Sequence, residues 1–311
     1  MSSRKTLPLG IDVGTARTRV ALCERSAPGD VRLIAVASRP TLGDPAGAIA
    51  DACAELGTRE RRCVLALPTG ASRLSMVRFP MMHRRERERA ARFEAARFIR
   101  YPLDEAAVRV TPLHDGNCVL GVARQRALDA CVDAAKRARL RPIAVDDSAF
   151  ALQRALPDAD AIVDVGELHS VLLVSDEPIP VVATFETAGR AFTAAVIASL
   201  GIDEASAEQR KRTIGLAGAG EYARDNLVEQ LAAAFIETRA TARVELCSIA
   251  LVGNGTRLPG FAEALERAVA VPVRMATLPT HSGQALPPDV VRAASPDWAL
   301  AYGLALWECA A

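Results

Sequence analysis

The sequence predicts an α/β protein built from two related lobes. An apolar strand ending in Asp-Val-Gly occurs at residues 7–14 and again at 161–166, each time followed by a turn and a second strand. A glycine-bearing strand–turn–helix unit follows at 249–269. The 311 residues are 50% hydrophobic and 24% charged. That composition supports a packed core, excludes a disordered or collagen-like chain, and allows about two domains at roughly 150 residues each.

Taken in order, residues 7–13 and 19–24 read as strands around the turn Gly-Thr-Ala-Arg-Thr, a hairpin signal. Residues 31–38 supply a third strand, 46–56 a helix and 62–67 another strand. Ala91, Ala95, Phe98 and Ile99 follow helical spacing and are expected to face a core. In the second copy, 161–166 and 170–174 are the paired strands and 179–184 the next. Aligning Asp12 with Asp164 sets Gly14 on Gly166, Thr18 on Ser170, Val20 on Leu172 and Leu22 on Val174. Residues 249–252 form a strand that turns at 253–259 into a helix from Pro259 to about 269, with proline at the first turn. A C-terminal Ala/Leu helix carries Trp298 and Trp307 as packing residues.

Charge narrows the function classes. Lysine plus arginine is 38 and aspartate plus glutamate 37, a net charge of +1, and aromatics are 4%. A dedicated nucleic-acid binder shows a basic excess and aromatics for stacking, so that class is set aside. The seven cysteines (Cys23, Cys53, Cys63, Cys118, Cys131, Cys247, Cys309) form no CxxC pair, so reduced thiols are expected rather than a zinc site or disulfide framework. The first six residues do not read as a signal peptide, and no run reaches the roughly 18 uncharged apolar residues of a membrane span; a cytoplasmic protein is expected. The P-loop, the complete dinucleotide fingerprint, G-x-S-x-G and H-E-x-x-H are absent, and the four histidines at 83, 114, 169 and 281 are scattered.

The repeated turn has a physical reading. A tight glycine-containing turn aims successive backbone N–H groups at one spot, which makes an anion nest. An aspartate beside a phosphate makes sense through Mg2+, which keeps several waters and takes only one or two carboxylates. Two such turns facing each other across a cleft clamp a triphosphate from both sides. Residues 84–89 alternate arginine and glutamate; they read first as a solvated helical face, with a partner or anionic lipid heads as the sharper reading. The basic run at 136–141 reads as a solvated helix end.

Together these elements resemble the actin/Hsp70/sugar-kinase superfamily of bilobed ATPases, with a ribonuclease H-like lobe fold. Gly10-Ile11-Asp12-Val13-Gly14-Thr15 is similar to its first phosphate loop, Val163-Asp164-Val165-Gly166 to its second, and 252–259 (Val-Gly-Asn-Gly-Thr-Arg-Leu-Pro) to its adenosine motif. Residues 93–105, Phe-Glu-Ala-Ala-Arg-Phe-Ile-Arg-Tyr-Pro-Leu-Asp-Glu, resemble the inserted subdomain of the PilM family of type IV pilus assembly proteins, which are FtsA-like. Ala207-Glu208-Gln209-Arg210-Lys211-Arg212, the preceding Leu200-Gly201-Ile202, and Pro142-Ile143-Ala144-Val145-Asp146 also fit that family.

The resemblance implies ATP and Mg2+ as ligands. Asp12 and Asp164 would hold the metal through its waters. Gly14, Thr15, Ala16 and Arg17 would line the first phosphate turn, and Gly166 to Ser170 the second. Gly189 falls at a family glycine near the nucleotide, and Glu208 and Lys211 would contact ribose or base. Gly253, Asn254 and Gly255 would lie along the adenosine, with Arg257 stacked on adenine. Ala16, Arg17, Glu167 and Asn254 depart from loops that are usually rich in serine and glycine. Arg17 favours phosphate by charge; Glu167 disfavours it unless it points away or binds metal. ATP binding with weak or no hydrolysis is the expectation, and no catalytic base is identified.

The implied organisation is a first lobe at 1–70 and 139–159 with a C-terminal helix at 296–309. An inserted subdomain spans 71–138, and the second lobe spans 160–295 with a helical part near 200–245. The implied function is a cytoplasmic, actin-like ATP-binding assembly protein at the inner-membrane platform of a type IV pilus. It would dock the short cytoplasmic tail of a PilN-type bitopic protein and so meet the membrane only indirectly; homo-oligomerisation stays open. The alternatives are a small-molecule kinase of the same superfamily, or a nucleotide-free scaffold of a pilus, competence or type II secretion machine.

Overall fold

The computed structural model describes residues 5–27, 29–175, 178–242, 245–278 and 295–309. His281 and the stretch 279–294 of the expected second lobe lie outside the described residues.

The first lobe opens with β1 (Lys5–Thr6), β2 (Leu9–Val13), β3 (Arg17–Ala27) and β4 (Asp30–Pro40), then α1 (Pro45–Leu56) and β5 (Arg62–Ala66). An insertion follows: β6 (Ser72–Arg78), α2 (Arg84–Ala95), β7 (Ala106–Pro112) and β8 (Asn117–Arg124). The chain returns through α3 (Gln125–Arg137), β9 (Arg141–Asp146) and α4 (Ser148–Ala155). The second lobe comprises β10 (Ala161–Val165), β11 (Ser170–Val174), β12 (Val181–Phe185), α5 (Gly189–Leu200), α6 (Glu204–Ile214), α7 (Glu221–Thr241), β13 (Ile249–Val252), α8 (Phe261–Val269) and β14 (Val273–Met275). The short helix α9 (Ala299–Ala305) closes the described chain between two 3-10 turns.

The two sheets share one topology. In the first, β4, β3, β2, β5 and β9 lie side by side, with β1 also pairing with β3. In the second the order is β12, β11, β10, β13, β14. In both, the first three strands are antiparallel and the last two run parallel to the central strand. Register confirms the sequence alignment: Val13 pairs with Thr18 as Val165 pairs with Ser170. The central strands are apolar at nearly every position because helices or the other lobe cover both faces.

Each lobe has its own core. Leu9, Ile11, Val20, Ile49 and Leu65 pack in the first, and Val163, Phe192, Leu227, Phe235, Leu251 and Phe261 in the second. A third cluster joins them. Leu7, Ala21 and Leu33 of the first sheet meet Ile162, Leu173 and Val252 of the second across α4 and α9. These two helices form the wedge between the lobes. Gly303 lets them touch, since a Cβ there would fall 1.8 Å from the Ala151 carbonyl oxygen. Arg154 locks the wedge: it pairs with the buried Asp146, donates to the Gly303 carbonyl at 3.1 Å and lies over Trp307.

The insertion is a three-stranded antiparallel sheet, β6-β8-β7, backed by α2. Val77, Ala91, Ala95, Ala106, Leu120 and Val122 form its separate core. Phe98 and Ile99 join that core, but past the helix end at Ala95. The boundary expected at 138 groups α3 with the insertion. In the fold, Ala134, Ala135 and Cys131 of α3 pack with the first-lobe core instead, because α3 lies against α1 and β9. The helix expected from Pro259 starts two residues later: 254–257 form a 3-10 turn and Gly260, at φ +79°, leads into α8. The expected C-terminal helix is likewise shorter, at Ala299–Ala305, with Trp298 and Trp307 in the flanking 3-10 turns. Among the described residues, no helix is long and apolar enough to cross a membrane.

Candidate functional site

The hairpin turns after β2 and β10 are built alike. Gly14 N–H donates to the Arg17 carbonyl at 3.1 Å, and Gly166 N–H to the His169 carbonyl at 3.0 Å. One buried hydroxyl braces each turn. Thr18 meets Thr41 at 3.1 Å, and Thr41 also donates to the Gly14 carbonyl at 2.7 Å. Ser170 donates to the Thr187 carbonyl at 2.7 Å. Ser170 is thus a brace beneath the second turn rather than part of its lining. Thr15 and Ala16 stand exposed at the tip of the first turn. Among the described residues, no backbone bond uses their N–H groups. These free donors are what an anion nest needs.

Asp12 and Asp164 stand one residue from the ends of the central strands of their sheets, close enough for the charge of Asp12 to reach Asp164. Burial first, and then the charge of Asp12, raise the carboxyl of Asp164 to about 6, while Arg19 opposes both. Burial also raises Asp12, against the pull of Arg19, whose Nη1 stands 3.5 Å from Asp12 Oδ2. Arg19 sits opposite Asp12 in the β2–β3 register. Two partly buried carboxylates therefore share one guanidinium, leaving a local negative excess that a divalent cation relieves. Among the described residues, no cluster of three or more His, Cys, Asp or Glu groups is poised to hold a metal.

Asp297 adds a third, weaker negative charge near Asp164, and nothing in the sequence motifs marked it. It lies in the 3-10 turn Pro296–Trp298 just before α9, and its charge also raises Asp164. Arg257 Nε donates to Asp297 Oδ1 at 3.1 Å and its Nη2 bonds Ser295 Oγ. With its amide turned so that the nitrogen faces Asp297, Asn254 donates to Asp297 Oδ2 at 2.9 Å. Arg257 is thus held in place by its own chain while staying half exposed. Gly253 and Gly255 are required for a different reason from ligand clearance. A Cβ on Gly253 would fall 2.2 Å from Asp164 Oδ1, and one on Gly255 2.3 Å from Val165 Cγ1. Gly253 also sits at φ +80°. The glycines let the 253–257 turn press onto the end of β10. A depression of about 450 Å³ beside this turn is lined by Arg257, Leu258, Pro259, Met275 and Pro296, on a side that excludes Asp12 and Asp164.

The second turn is joined to α5. The Gly166 and Glu167 carbonyls accept from Gly189 N–H at 3.0 Å and Arg190 N–H at 2.8 Å. Gly189 therefore lies at the turn, at the first residue of α5. Glu167 pairs with Arg190 at 3.0 Å, which offsets the acid that otherwise opposes a phosphate there. Glu208 and Lys211 are both spent on protein contacts. Lys211 Nζ pairs with Glu208 at 2.6 Å, and donates to Thr193 Oγ1 at 2.6 Å and to the Gly189 carbonyl at 3.1 Å. Thr193 donates to Glu208 at 2.8 Å. This network pins α6 to α5 and holds the Glu208 carboxyl below its usual range despite burial. Thr193, at the one-turn spacing from Gly189, was not singled out in the sequence.

Arg17 departs from its expected role. Its Nε donates to Ser38 Oγ at 2.7 Å and its Nη2 to the Ser38 carbonyl at 3.1 Å, so the side chain lies back along β4. Burial, with Arg19, Arg212 and Arg39 around it, lowers its affinity for a proton. Arg212, on the second lobe, brings its positive charge near Arg17 on the first.

Two sheets of one topology, paired turns with facing aspartates and a wedge of helices between them define the actin-like ATPase fold. The model of the type IV pilus assembly protein PilM family matches residues 43–309. The chain belongs to that family. Among solved structures, it is similar to the "PilM-PilN type IV pilus biogenesis complex" with 26% identity and TM-score 0.82, covering 96% of this chain and 97% of that one. EutJ, an ethanolamine utilization protein of Carboxydothermus hydrogenoformans, is 17% identical at TM-score 0.61, covering 97% and 90%. The cytoplasmic domain of EpsL, from the Vibrio cholerae type II secretion system, is 12% identical at TM-score 0.51, covering 98% and 95%. The last two show the fold alone. No curated protein matches the chain in sequence. The family match does not favour the small-molecule kinase.

Proposed function

We propose that this chain is the actin-like assembly protein of a type IV pilus platform, binding the short cytoplasmic tail of a PilN-type membrane protein. The observation that carries the reading is the likeness to the PilM-PilN complex over 96% of the chain. The protein would then work in the cytoplasm, held at the inner membrane by that partner. The insertion, with its own core, offers a second body against which a peptide is held on the first lobe.

The same reading takes ATP with Mg2+ as the ligand of the cleft between the lobes. Asp12 and Asp164 would hold the metal through its waters, since Mg2+ takes only one or two carboxylates and keeps its remaining hydration. The 14–17 and 166–169 turns would take the phosphates, with Arg19 supplying charge. Gly189 would keep the second turn open to them. The 253–257 turn would take the adenosine side, and the Glu208–Lys211 pair would orient α5 and α6 around the ribose. A nucleotide held by both lobes would favour their closure across the wedge and so bias partner contacts.

Calorimetric titration with a synthetic peptide of the partner's cytoplasmic tail tests the central point. Saturable binding with or without nucleotide supports it; no binding in either condition sinks it.

A further inference from the structure

Helix α2 carries a face that the nucleotide and peptide readings leave unused. Arg85, Arg89, Arg92 and Phe93 fall within about 100° of one another on a 3.6-residue helix, and all are exposed. Ala91 and Ala95 point away from them into the insertion core. Phe93 is 77% exposed, and Met81 just ahead of the helix is fully exposed. The three carboxylates of α2 are each engaged elsewhere. Glu86 accepts from the His83 N–H at 3.1 Å, Glu88 pairs with Arg84 and Glu94 with Arg97. Arg92 donates to the Leu103 carbonyl, and among the described residues Arg85 and Arg89 have no carboxylate partner. Charge is segregated in the same direction. Residues 71–116 carry ten arginines and six carboxylates, a net +4 in a chain whose total is +1.

We infer that this face of α2 rests on an anionic lipid bilayer. Guanidinium groups match phosphodiester oxygens in a bidentate way, and a helix with an apolar ring beside basic residues lies in the headgroup region of a membrane. The face is the outward side of a helix rather than a groove or strand edge. An acidic peptide would need one of those to be held along its length, whereas a bilayer needs only a surface of opposite charge. The contact is independent of the peptide reading. It supplies a second, weak attachment of the kind that makes membrane anchoring stable.

Flotation of the full chain with vesicles, in the absence of any partner, tests this. Vesicles of about one-third phosphatidylglycerol should carry the protein at low salt and release it at high salt, and pure phosphatidylcholine vesicles should not carry it. The double variant Arg85→Glu/Arg89→Glu should bind at least about 25-fold more weakly, at about fivefold per arginine. Arg85→Lys/Arg89→Lys should keep most of the binding, and Phe93→Ala should lose several-fold. Unchanged melting temperature would show these exposed variants to be folded. Equal binding to both vesicle types, or phosphatidylglycerol binding indifferent to the charge reversal, would overturn the inference. So would capture of a poly-glutamate peptide by the same arginines without vesicle binding, which would assign the face to an acidic protein.

Discussion

Asp164 shows how one residue couples fold to ligand. Its carboxyl, raised to about 6 by burial and by Asp12, binds a proton in the folded chain that the unfolded chain has released. The native state therefore holds more protons between about pH 4 and 6, and stability of the nucleotide-free protein falls as pH rises through that window. Asp164→Asn should stabilise the nucleotide-free protein at pH 7, by up to about 3 kcal/mol. The same variant should lose Mg-ATP affinity. Melting curves at pH 5 and 7, with calorimetry, check both; a destabilised variant would remove the buried-charge argument. In the wild type, Mg-ATP affinity should weaken as pH drops below about 6, because protonated carboxyls cannot hold the metal. At Gly253, alanine would place a Cβ 2.2 Å from Asp164 Oδ1 at φ +80°. Gly253→Ala should cost at least about 2 kcal/mol in urea unfolding and shift the adenosine-side turn off β10. The glycines of this turn were legible in the sequence as a motif. Their reason, contact with the β10 strand end, was not, because it depends on an approach between segments some 90 residues apart.

At the scale of elements, the second hairpin was legible nearly to the residue, while β3, expected at 19–24, runs Arg17–Ala27. Short apolar runs on either side of a polar, glycine-containing turn specify β2–β3 and β10–β11 locally. Helix ends were less legible. Pro259 suits a first helical turn, yet a 3-10 turn precedes α8 and Gly260 supplies the positive φ at its start. The placement of α3 also escaped a local reading, since Ala134, Ala135 and Cys131 choose the first-lobe core through packing alone. The wedge helices depend most on tertiary fit. Gly303→Ala would drive a Cβ into the Ala151 carbonyl and separate α4 from α9. A loss of about 3 kcal/mol or more is expected in chemical denaturation. Thr193→Val removes the hydroxyl that joins Glu208 and Lys211 and leaves both charges short of a partner. That should destabilise the α5–α6 pair by about 1–3 kcal/mol and quicken exchange of α6 amides.

At the scale of the whole molecule, the proposed nucleotide and peptide sites would lie on bodies joined through the wedge. If ATP closes the lobes, each ligand must alter the other's affinity by the same factor. Calorimetry should give equal coupling in both directions, about 5- to 150-fold if the sites share the closing motion. Equal affinities with and without the other ligand would leave ATP a structural ligand only.

The sequence by itself determined the two-lobed plan, because apolar strands, polar turns and the Asp-Val-Gly repeat are local patterns whose period and spacing survive without a fold. It also marked candidate residues on the turns that border the cleft. Only the tertiary structure decided which of them face the cleft. Arg17 turned back to Ser38, Glu208 and Lys211 joined α6 to α5, and Asp297 brought its charge near Asp164, beside Asn254 and Arg257. These outcomes rest on long-range approach, burial and competition between hydrogen-bond partners, none of which is written in a local stretch of chain.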